Sequence, residues 1–164
     1  MVKKILFVCN ANVGRSQIAE AMFNKMFADS EYAAESAGVS DIRAGKSVRE
    51  ALQTNGWDSM LDGLKKRGLD IGDCRCKPVT QDAVRDSSAV FAVDEKVRDK
   101  LISMFPESRA KIFILREFAH LKDAEIPDAD PEHPPTTEYV ILVYNKVHEA
   151  LEKIKRENLL KFLS

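Results

Sequence analysis

The sequence has few cysteines, and their spacing does not suit a disulfide scaffold. Three of its 164 residues are cysteines, Cys9, Cys74 and Cys76, and the last two are separated by a single residue. An odd number of cysteines in this arrangement argues against a disulfide-stabilised secreted protein. The chain also has only three histidines and no Cys-x-x-Cys pair, which argues against zinc. We therefore expect no metal, and we interpret Cys74 and Cys76 as ordinary thiols of a loop or strand edge.

The sequence also lacks an excess of charge and a long apolar run. Lysine and arginine number 25 against 26 aspartates and glutamates, a formal net charge of −1, so no overall field favours nucleic acid or an anionic membrane. No segment approaches the roughly 20 apolar residues of a membrane-spanning helix. Asn10 and Asn12 interrupt the first apolar run too early for a signal peptide. We expect a cytoplasmic protein that binds neither nucleic acid nor membranes.

Short apolar segments alternate with amphipathic helical segments along the chain. The predicted strands cover residues 3–9, 32–38, 89–93 and 111–115, and the main predicted helices cover residues 15–29, 47–55, 57–67 and 137–160, with further helices from Thr80 and after Asp94. Strands that alternate with helices imply a parallel sheet covered on both faces. The length suits one domain with a substantial core. We predict a single α/β domain over residues 1–164, built as a three-layer sandwich.

The most informative stretch joins the first strand to the first helix: Cys9-Asn10-Ala11-Asn12-Val13-Gly14-Arg15-Ser16. Backbone N–H groups of such a loop and helix start lack helical partners, and the helix dipole adds positive charge, so the loop can bind a phosphate-sized anion. Arg15 can add a planar fork of donors. The same field favours the thiolate form of Cys9, which would be a nucleophile under a bound phosphoryl group. Alternatively, Cys9 is a small core residue, but the strand–loop–helix context favours catalysis.

Residues Val8 to Ser16 resemble the phosphate-binding loop of the low-molecular-weight protein tyrosine phosphatases and of the related thioredoxin-coupled arsenate reductases. The resemblance extends over nearly the whole chain in order, through Gln17–Ala21, Glu35–Gly38, Gly68–Ile71 and Asp130-Pro131. It implies a four-stranded parallel sheet in the flavodoxin-like order 2-1-3-4. It also implies that residues Asn10 to Ser16 bind phosphate, that Arg15 and Ser16 assist Cys9, that Ser36 hydrogen-bonds Asn12, and that no cofactor is needed.

The loop before the last helix offers two carboxylates for acid–base chemistry, Asp128 and Asp130. A carboxylic acid opposite the nucleophile can protonate the leaving group and then activate water. In the family that this chain resembles, the acid directly precedes a proline, which corresponds to Asp130; Asp128 is the alternative. Glu132 and His133 follow where eukaryotic members typically have two tyrosines.

The resemblance implies a metal-independent phosphomonoester hydrolase, a low-molecular-weight protein tyrosine phosphatase that acts through a phosphocysteine. Its expected substrate is a phosphotyrosine-bearing protein or a small aryl phosphate, and its product is inorganic phosphate. The first alternative is a thioredoxin-coupled arsenate reductase, although residues 93–98 lack the cysteines that such an enzyme carries there. The second is a phosphate- or phosphoprotein-binding module without turnover. Residues around 53–63 resemble an insertion, in which we expect Trp57 to pack in the core.

Overall fold

A four-stranded parallel sheet forms the centre of the structure, a computed structural model that describes residues 1–53, 59–130 and 136–163. Its strands are β1 Lys3–Cys9, β2 Tyr32–Gly38, β3 Ser87–Ala92 and β4 Ile112–Ile114. They lie side by side in the order β2-β1-β3-β4, and all neighbouring pairs are parallel. The predicted α/β class and the strand order 2-1-3-4 are therefore confirmed.

Helices connect the strands and pack around the sheet. In the described part of the chain they are α1 Arg15–Met26, α2 Val48–Gln53, α3 Ser59–Lys65, α4 Gln81–Asp86, α5 Glu95–Met104, α6 Leu115–Phe118 and α7 Thr137–Arg156. The 3₁₀ turns Pro106–Lys111 and Leu159–Phe162 were not predicted. None of the described helices combines the length and apolar character needed to cross a membrane.

Several predicted boundaries differ from the structure for local reasons. Helix α1 ends at Met26 rather than at residue 29, because the backbone N–H and hydroxyl of Ser30 both donate to the carbonyl of Phe27 and close a turn there. Helix α7 ends at Arg156, because Asn158 adopts a left-handed conformation with φ 53°. Leu115, predicted in the fourth strand, begins α6. Residues 54–58 of the supposed insertion, which include Trp57, lie outside the described residues.

Strand β1 is buried on both faces, and its carboxyl end lies at the centre of the fold. Residues Ile5 to Cys9 are all buried. The ring of Phe7 lies 5.6 Å from that of Phe23 in α1 and 5.7 Å from that of Phe91 in β3, measured between centroids. These aromatic contacts join the first strand to its helix and to its neighbouring strand. The loop after β1 therefore begins from a closely packed base.

The carboxyl end of β1 lies where the strand order reverses, since β2 is on one side and β3 on the other. Ligands of open parallel sheets bind at such reversal points. At the end of β2, Gly38 lies directly against the loop that follows β1. A Cβ atom on Gly38 would lie 2.7 Å from the carbonyl oxygen of Asn10 and 2.9 Å from the backbone nitrogen of Asn12. Only glycine allows this close approach.

Candidate active site

The loop between β1 and α1 borders a cavity of about 250 Å³. Of the residues predicted to bind phosphate or act in catalysis, six line it: Cys9, Asn10, Ala11, Val13, Gly14 and Arg15. The backbone N–H groups of residues 11–14 donate to no other group of the described chain. Such N–H groups in a loop that opens a helix favour an anion in the cavity.

Two of the predicted residues, Asn12 and Ser16, are completely buried and do not line the cavity. The oxygen of Ser16 is 2.9 Å from the sulfur of Cys9. The amide nitrogen of Asn12 donates to Ser16 Oγ and to Ser36 Oγ, both at 2.9 Å. The structure thus contains the Asn12–Ser36 hydrogen bond that the resemblance implies. Asn12 has a left-handed backbone, with φ 58°, a conformation that asparagine tolerates better than most residues.

The guanidinium of Arg15 is buried and is held from several sides. Its Nη1 donates to Asp94 Oδ2 at 2.6 Å and to the carbonyl of Ile126 at 3.0 Å. Its Nη2 lies 3.2 Å from Asp128 Oδ2. Burial disfavours the charged form, but the nearby Cys9, Asp128 and Asp94 outweigh it, so the pKa of Arg15 is raised. The arginine is therefore a permanent positive charge beside the thiol.

The two aspartates of the loop before α7 differ in their relation to the cavity. Asp128 lines it and pairs with Arg15, and 57% of its side chain is exposed. Asp130, the predicted acid, is exposed and is not among the residues that line the cavity. Its neighbour Pro131 lies outside the described residues. The structure thus brings Asp128, the alternative, to Arg15.

The rest of the cavity wall is mostly apolar. The apolar side chains come from the loop after β2, from α2 and α3, from the loop that carries Asp128 and from the start of α7: Ile42, Ala51, Leu52, Met60, Ala129 and Tyr139. Arg43 adds a positive charge. Two residues of the segment after β2, Ile42 and Arg43, thus lie at the cavity. Tyr139 donates its hydroxyl to the carbonyl of Pro127 at 3.1 Å, which ties α7 to the loop that carries Asp128, and burial raises the pKa of its phenol.

Asp94 and Gln17 hold Arg15 and Asn12 from outside the cavity, and the sequence did not predict either residue for the site. Asp94 follows β3 and caps α5, because its Oδ1 accepts from the backbone N–H of Val97 at 2.7 Å while its Oδ2 accepts from Arg15. A polar residue at the carboxyl end of the strand beside β1 was the available signal for Asp94. Gln17 is 2% exposed, and its position in an apolar helix gave no such signal.

The other two cysteines are free thiols away from the cavity lining. Cys76 is buried, and burial raises its pKa to about 11. Cys74 is exposed, and partial burial together with nearby acidic residues raises its pKa. Within residues 1–53, 59–130 and 136–163, no group of three or more histidine, cysteine or acidic side chains is arranged to hold a metal ion.

Comparisons with known proteins agree with this geometry. The family model described as low molecular weight phosphotyrosine protein phosphatase matches residues 4–163. The chain is 28% identical over 155 residues to a protein-arginine-phosphatase of Geobacillus stearothermophilus, which covers 94% of this chain and 92% of that protein. It is 26% identical over 156 residues to the probable low molecular weight protein-tyrosine-phosphatase EpsP of Ralstonia nicotianae, over 95% and 91% of the two chains.

Among solved structures, a protein tyrosine phosphatase from Entamoeba histolytica with Hepes in its active site is similar, with a TM-score of 0.79 and 26% identity. The similarity covers 95% of this chain and 96% of that one. The family match spans almost the entire sequence, and it includes the loop with Cys9 and Arg15. The chain therefore belongs to the low molecular weight phosphotyrosine protein phosphatase family, a family of phosphatase enzymes.

Proposed function

We propose that the protein is a metal-independent phosphomonoester hydrolase that removes phosphate from protein phosphotyrosine through a phosphocysteine intermediate. One observation carries this proposal. Cys9 lies at a cavity bordered by the buried guanidinium of Arg15 and by backbone N–H groups that donate to no group among the described residues, and its sulfur is 2.9 Å from the Ser16 oxygen. Phosphate binding alone does not require a thiol at this point.

In the first step, the thiolate of Cys9 attacks the phosphorus atom, and the bond between phosphorus and the ester oxygen breaks. The loop N–H groups and Arg15 hold the three remaining phosphoryl oxygens and stabilise their charge. The electron pair of the broken bond goes to the leaving oxygen, which takes a proton from a carboxylic acid. Positive charge for this step comes from the chain itself, so no metal is required.

In the second step, the same carboxylate takes a proton from water as the water oxygen attacks phosphorus. The phosphorus–sulfur bond breaks, and inorganic phosphate and the Cys9 thiolate are released. Ser16 can donate a hydrogen bond to that thiolate. The sequence predicts Asp130 as the acid, whereas Asp128 is the aspartate that lines the cavity and contacts Arg15. Within this proposal Asp128 is therefore the better-placed candidate.

Phosphotyrosine is supported as the substrate by the apolar wall beside the loop. Ile42, Leu52 and Met60 border the cavity that ends at Cys9, and they can contact an aromatic ring while the phosphate reaches the thiol. Phosphoarginine is the second candidate, because one relative is named a protein-arginine-phosphatase and because Asp128 offers a carboxylate for a cationic substrate.

Hydrolysis of p-nitrophenyl phosphate in the presence of EDTA tests the reaction class. Activity is expected with the wild-type protein and should be abolished in Cys9→Ser. Activity that depends on an added metal, or that survives in Cys9→Ser, would contradict the mechanism. Binding of phosphate without turnover would instead indicate a binding module.

Two substrate comparisons test the finer assignment. Hydrolysis of a phosphotyrosine peptide is expected to exceed that of the same peptide with phosphoarginine, and the reverse order would assign the protein to the second candidate. Arsenite production from arsenate with thioredoxin would support a reductase, which the separation of Cys74 and Cys76 from the cavity lining does not favour.

A further inference from the structure

Gln17 lies in the first turn of α1, where its side chain turns back towards the loop instead of towards solvent. It is 2% exposed. Its Nε2 donates to the carbonyl oxygen of Asn12 at 3.2 Å, to Asn12 Oδ1 at 3.1 Å and to the carbonyl oxygen of Arg75 at 3.0 Å. All three acceptors are oxygens, so the buried amide acts as a donor that joins the phosphate loop to residues 75–77.

Residues 75–77 supply a second donor to the side-chain oxygen of Asn12, Oδ1. The backbone N–H of Lys77 donates to Asn12 Oδ1 at 2.9 Å. This segment is itself held in place by two backbone hydrogen bonds of 2.8 Å. The carbonyl of Lys77 accepts from the N–H of Gly38, and the N–H of Cys76 donates to the carbonyl of Lys46. A backbone N–H can only donate. The oxygen of the Asn12 amide must therefore face Lys77, and its nitrogen must face Ser16 and Ser36.

The orientation of Asn12 determines the direction of the hydrogen bond at the nucleophile. Both hydrogens on Asn12 Nδ2 are used, one for Ser16 and one for Ser36. Ser36 accepts from Asn12 because it donates its own hydrogen to Glu20. Ser16 also accepts from Asn12, and its other hydrogen-bond partner in the described chain is Cys9. A buried hydroxyl hydrogen left without an acceptor would destabilise the fold, so Ser16 donates to the sulfur.

We propose that Gln17 is a positioning residue: with the backbone N–H of Lys77, it fixes Asn12 so that the Ser16 hydroxyl donates to Cys9. This inference rests on the proposed function and adds residues 75–77, which lie outside the phosphate loop, to the structure that prepares the thiolate. Gln17 itself touches neither the substrate site nor the sulfur. Its effect passes through the left-handed Asn12 and then through Ser16.

The test replaces Gln17 with Met, which keeps the approximate length and removes the donor, and with Glu, which directs an acceptor at three oxygens. Two quantities are measured at pH 7: the rate at which iodoacetamide alkylates Cys9, and kcat and KM for p-nitrophenyl phosphate. Gln17→Met is expected to lower the alkylation rate and kcat/KM by about tenfold, because misplacement of reacting groups by a fraction of an ångström has effects of this order. Gln17→Glu is expected to lower both further.

Asn24→Leu is the matched control. Asn24 carries another side-chain amide on α1, away from the phosphate loop. Its Nδ2 donates to the carbonyl of Ala34 at 3.0 Å, and its Oδ1 accepts from the N–H of Ala34 at 2.8 Å. Asn24→Leu should reduce the melting temperature and leave Cys9 alkylation and kcat/KM unchanged. If Gln17→Met behaves like this control, Gln17 is a structural residue only and the proposal is wrong. Alkylation needs no turnover, so this result stays distinct from a failure of the phosphatase assignment.

If Gln17→Met does not fold, Gln17→Glu is compared with wild type by the same two measurements. Normal alkylation and normal kcat/KM in a folded Gln17→Glu protein would overturn the proposal in the same way. Protection of Cys9 by inorganic phosphate provides a further readout. It is expected in the wild type and should need a higher phosphate concentration in each folded Gln17 variant.

Discussion

At the scale of single residues, Asp94 performs two tasks with its two carboxylate oxygens. One oxygen caps α5 through Val97, and the other, 2.6 Å from Nη1, holds the guanidinium of Arg15. The pair is nearly buried, with side-chain exposures of 3% for Arg15 and 13% for Asp94. Removing one partner of such a pair leaves the other charge poorly compensated. The orientation of Arg15, the arginine that we propose to bind phosphate, therefore depends on a residue at the end of another strand.

Asp94→Asn separates the two tasks. Asparagine is about as good a helix N-cap as aspartate, so the cap of α5 should remain while Arg15 loses its more buried carboxylate partner. Charge-assisted hydrogen bonds contribute about 1.5–3 kcal/mol, and we expect KM for p-nitrophenyl phosphate to rise by about tenfold or more. Thr80→Ala, which removes the cap of α4, is the control and should lower stability by about 1 kcal/mol with KM unchanged. An unchanged KM in Asp94→Asn would contradict this role.

The identity of the general acid is a second question at this scale. If Asp128 is the acid, Asp128→Asn should lower kcat by about 100-fold or more, the usual contribution of general acid–base catalysis. Asp130→Asn should then have a small effect. The loss should be larger for phenyl phosphate than for p-nitrophenyl phosphate, because the poorer leaving group depends more on protonation. The opposite pattern, with the large loss in Asp130→Asn, would support the prediction made from the Asp-Pro sequence.

At the scale of secondary-structure elements, the end of β2 sets the shape of the loop between β1 and α1. After Gly38, the backbone N–H of Val39 donates to the carbonyl of Cys9 at 3.0 Å, and the N–H of Ser40 donates to the carbonyl of Asn10 at 2.8 Å. The segment after β2 thus runs directly beside the loop. The loop conformation is consequently a property of two neighbouring strand ends and not of its own sequence alone.

Gly38→Ala tests this dependence. The new Cβ would lie 2.7 Å from the backbone oxygen of Asn10, so either β2 or the loop must move, and overpacking of this kind typically destabilises by about 1–3 kcal/mol. We expect a lower melting temperature and at least a tenfold lower kcat/KM. The control is Gly63→Ala in α3, whose Cβ would meet neighbours at 3.8 and 3.9 Å and should be neutral or stabilising. Equal activity in the two variants would argue against the steric role of Gly38.

At the scale of the whole molecule, the sequence predicted those parts of the candidate site whose residues are close together in the chain. Cys9, the loop and Arg15 form one strand–loop–helix unit, so their proximity followed from local patterns. Asp94 is 79 residues from Arg15 in the chain, and its contact depends on β3 lying beside β1. The contact of Gln17 with residue 75 likewise depends on how distant loops meet. The Asp-Pro pattern could not decide between two aspartates, because it carries no information on which one faces Arg15.

Stability in alkali is a whole-molecule property that the buried Cys76 should influence. Its pKa is raised to about 11 in the fold by burial, whereas an unfolded thiol titrates near about 8.5. Between these values the unfolded chain has lost a proton that the folded chain keeps, so the free energy of unfolding falls as pH rises, by up to about 1.4 kcal/mol per pH unit. Cys76→Ala should make this decline shallower in urea unfolding experiments.

Plotted against pH, the free energies of unfolding of the two proteins should run parallel below about pH 8, where the thiol is protonated in both states. Cys76→Ala should be the less stable of the two in this range, because it leaves a small cavity in the core. Parallel curves up to pH 11 would show that Cys76 does not contribute to the alkaline loss.

The ion pair between Asp128 and Nη2 of Arg15 has a consequence for the catalytic cycle. Under the proposed function, an incoming phosphate group has to displace this carboxylate from the guanidinium, and the carboxylate can return when the site empties. The exchange weakens capture of the substrate, and it weakens retention of inorganic phosphate by the same contact. We therefore expect this carboxylate to limit inhibition by the inorganic phosphate that the reaction releases.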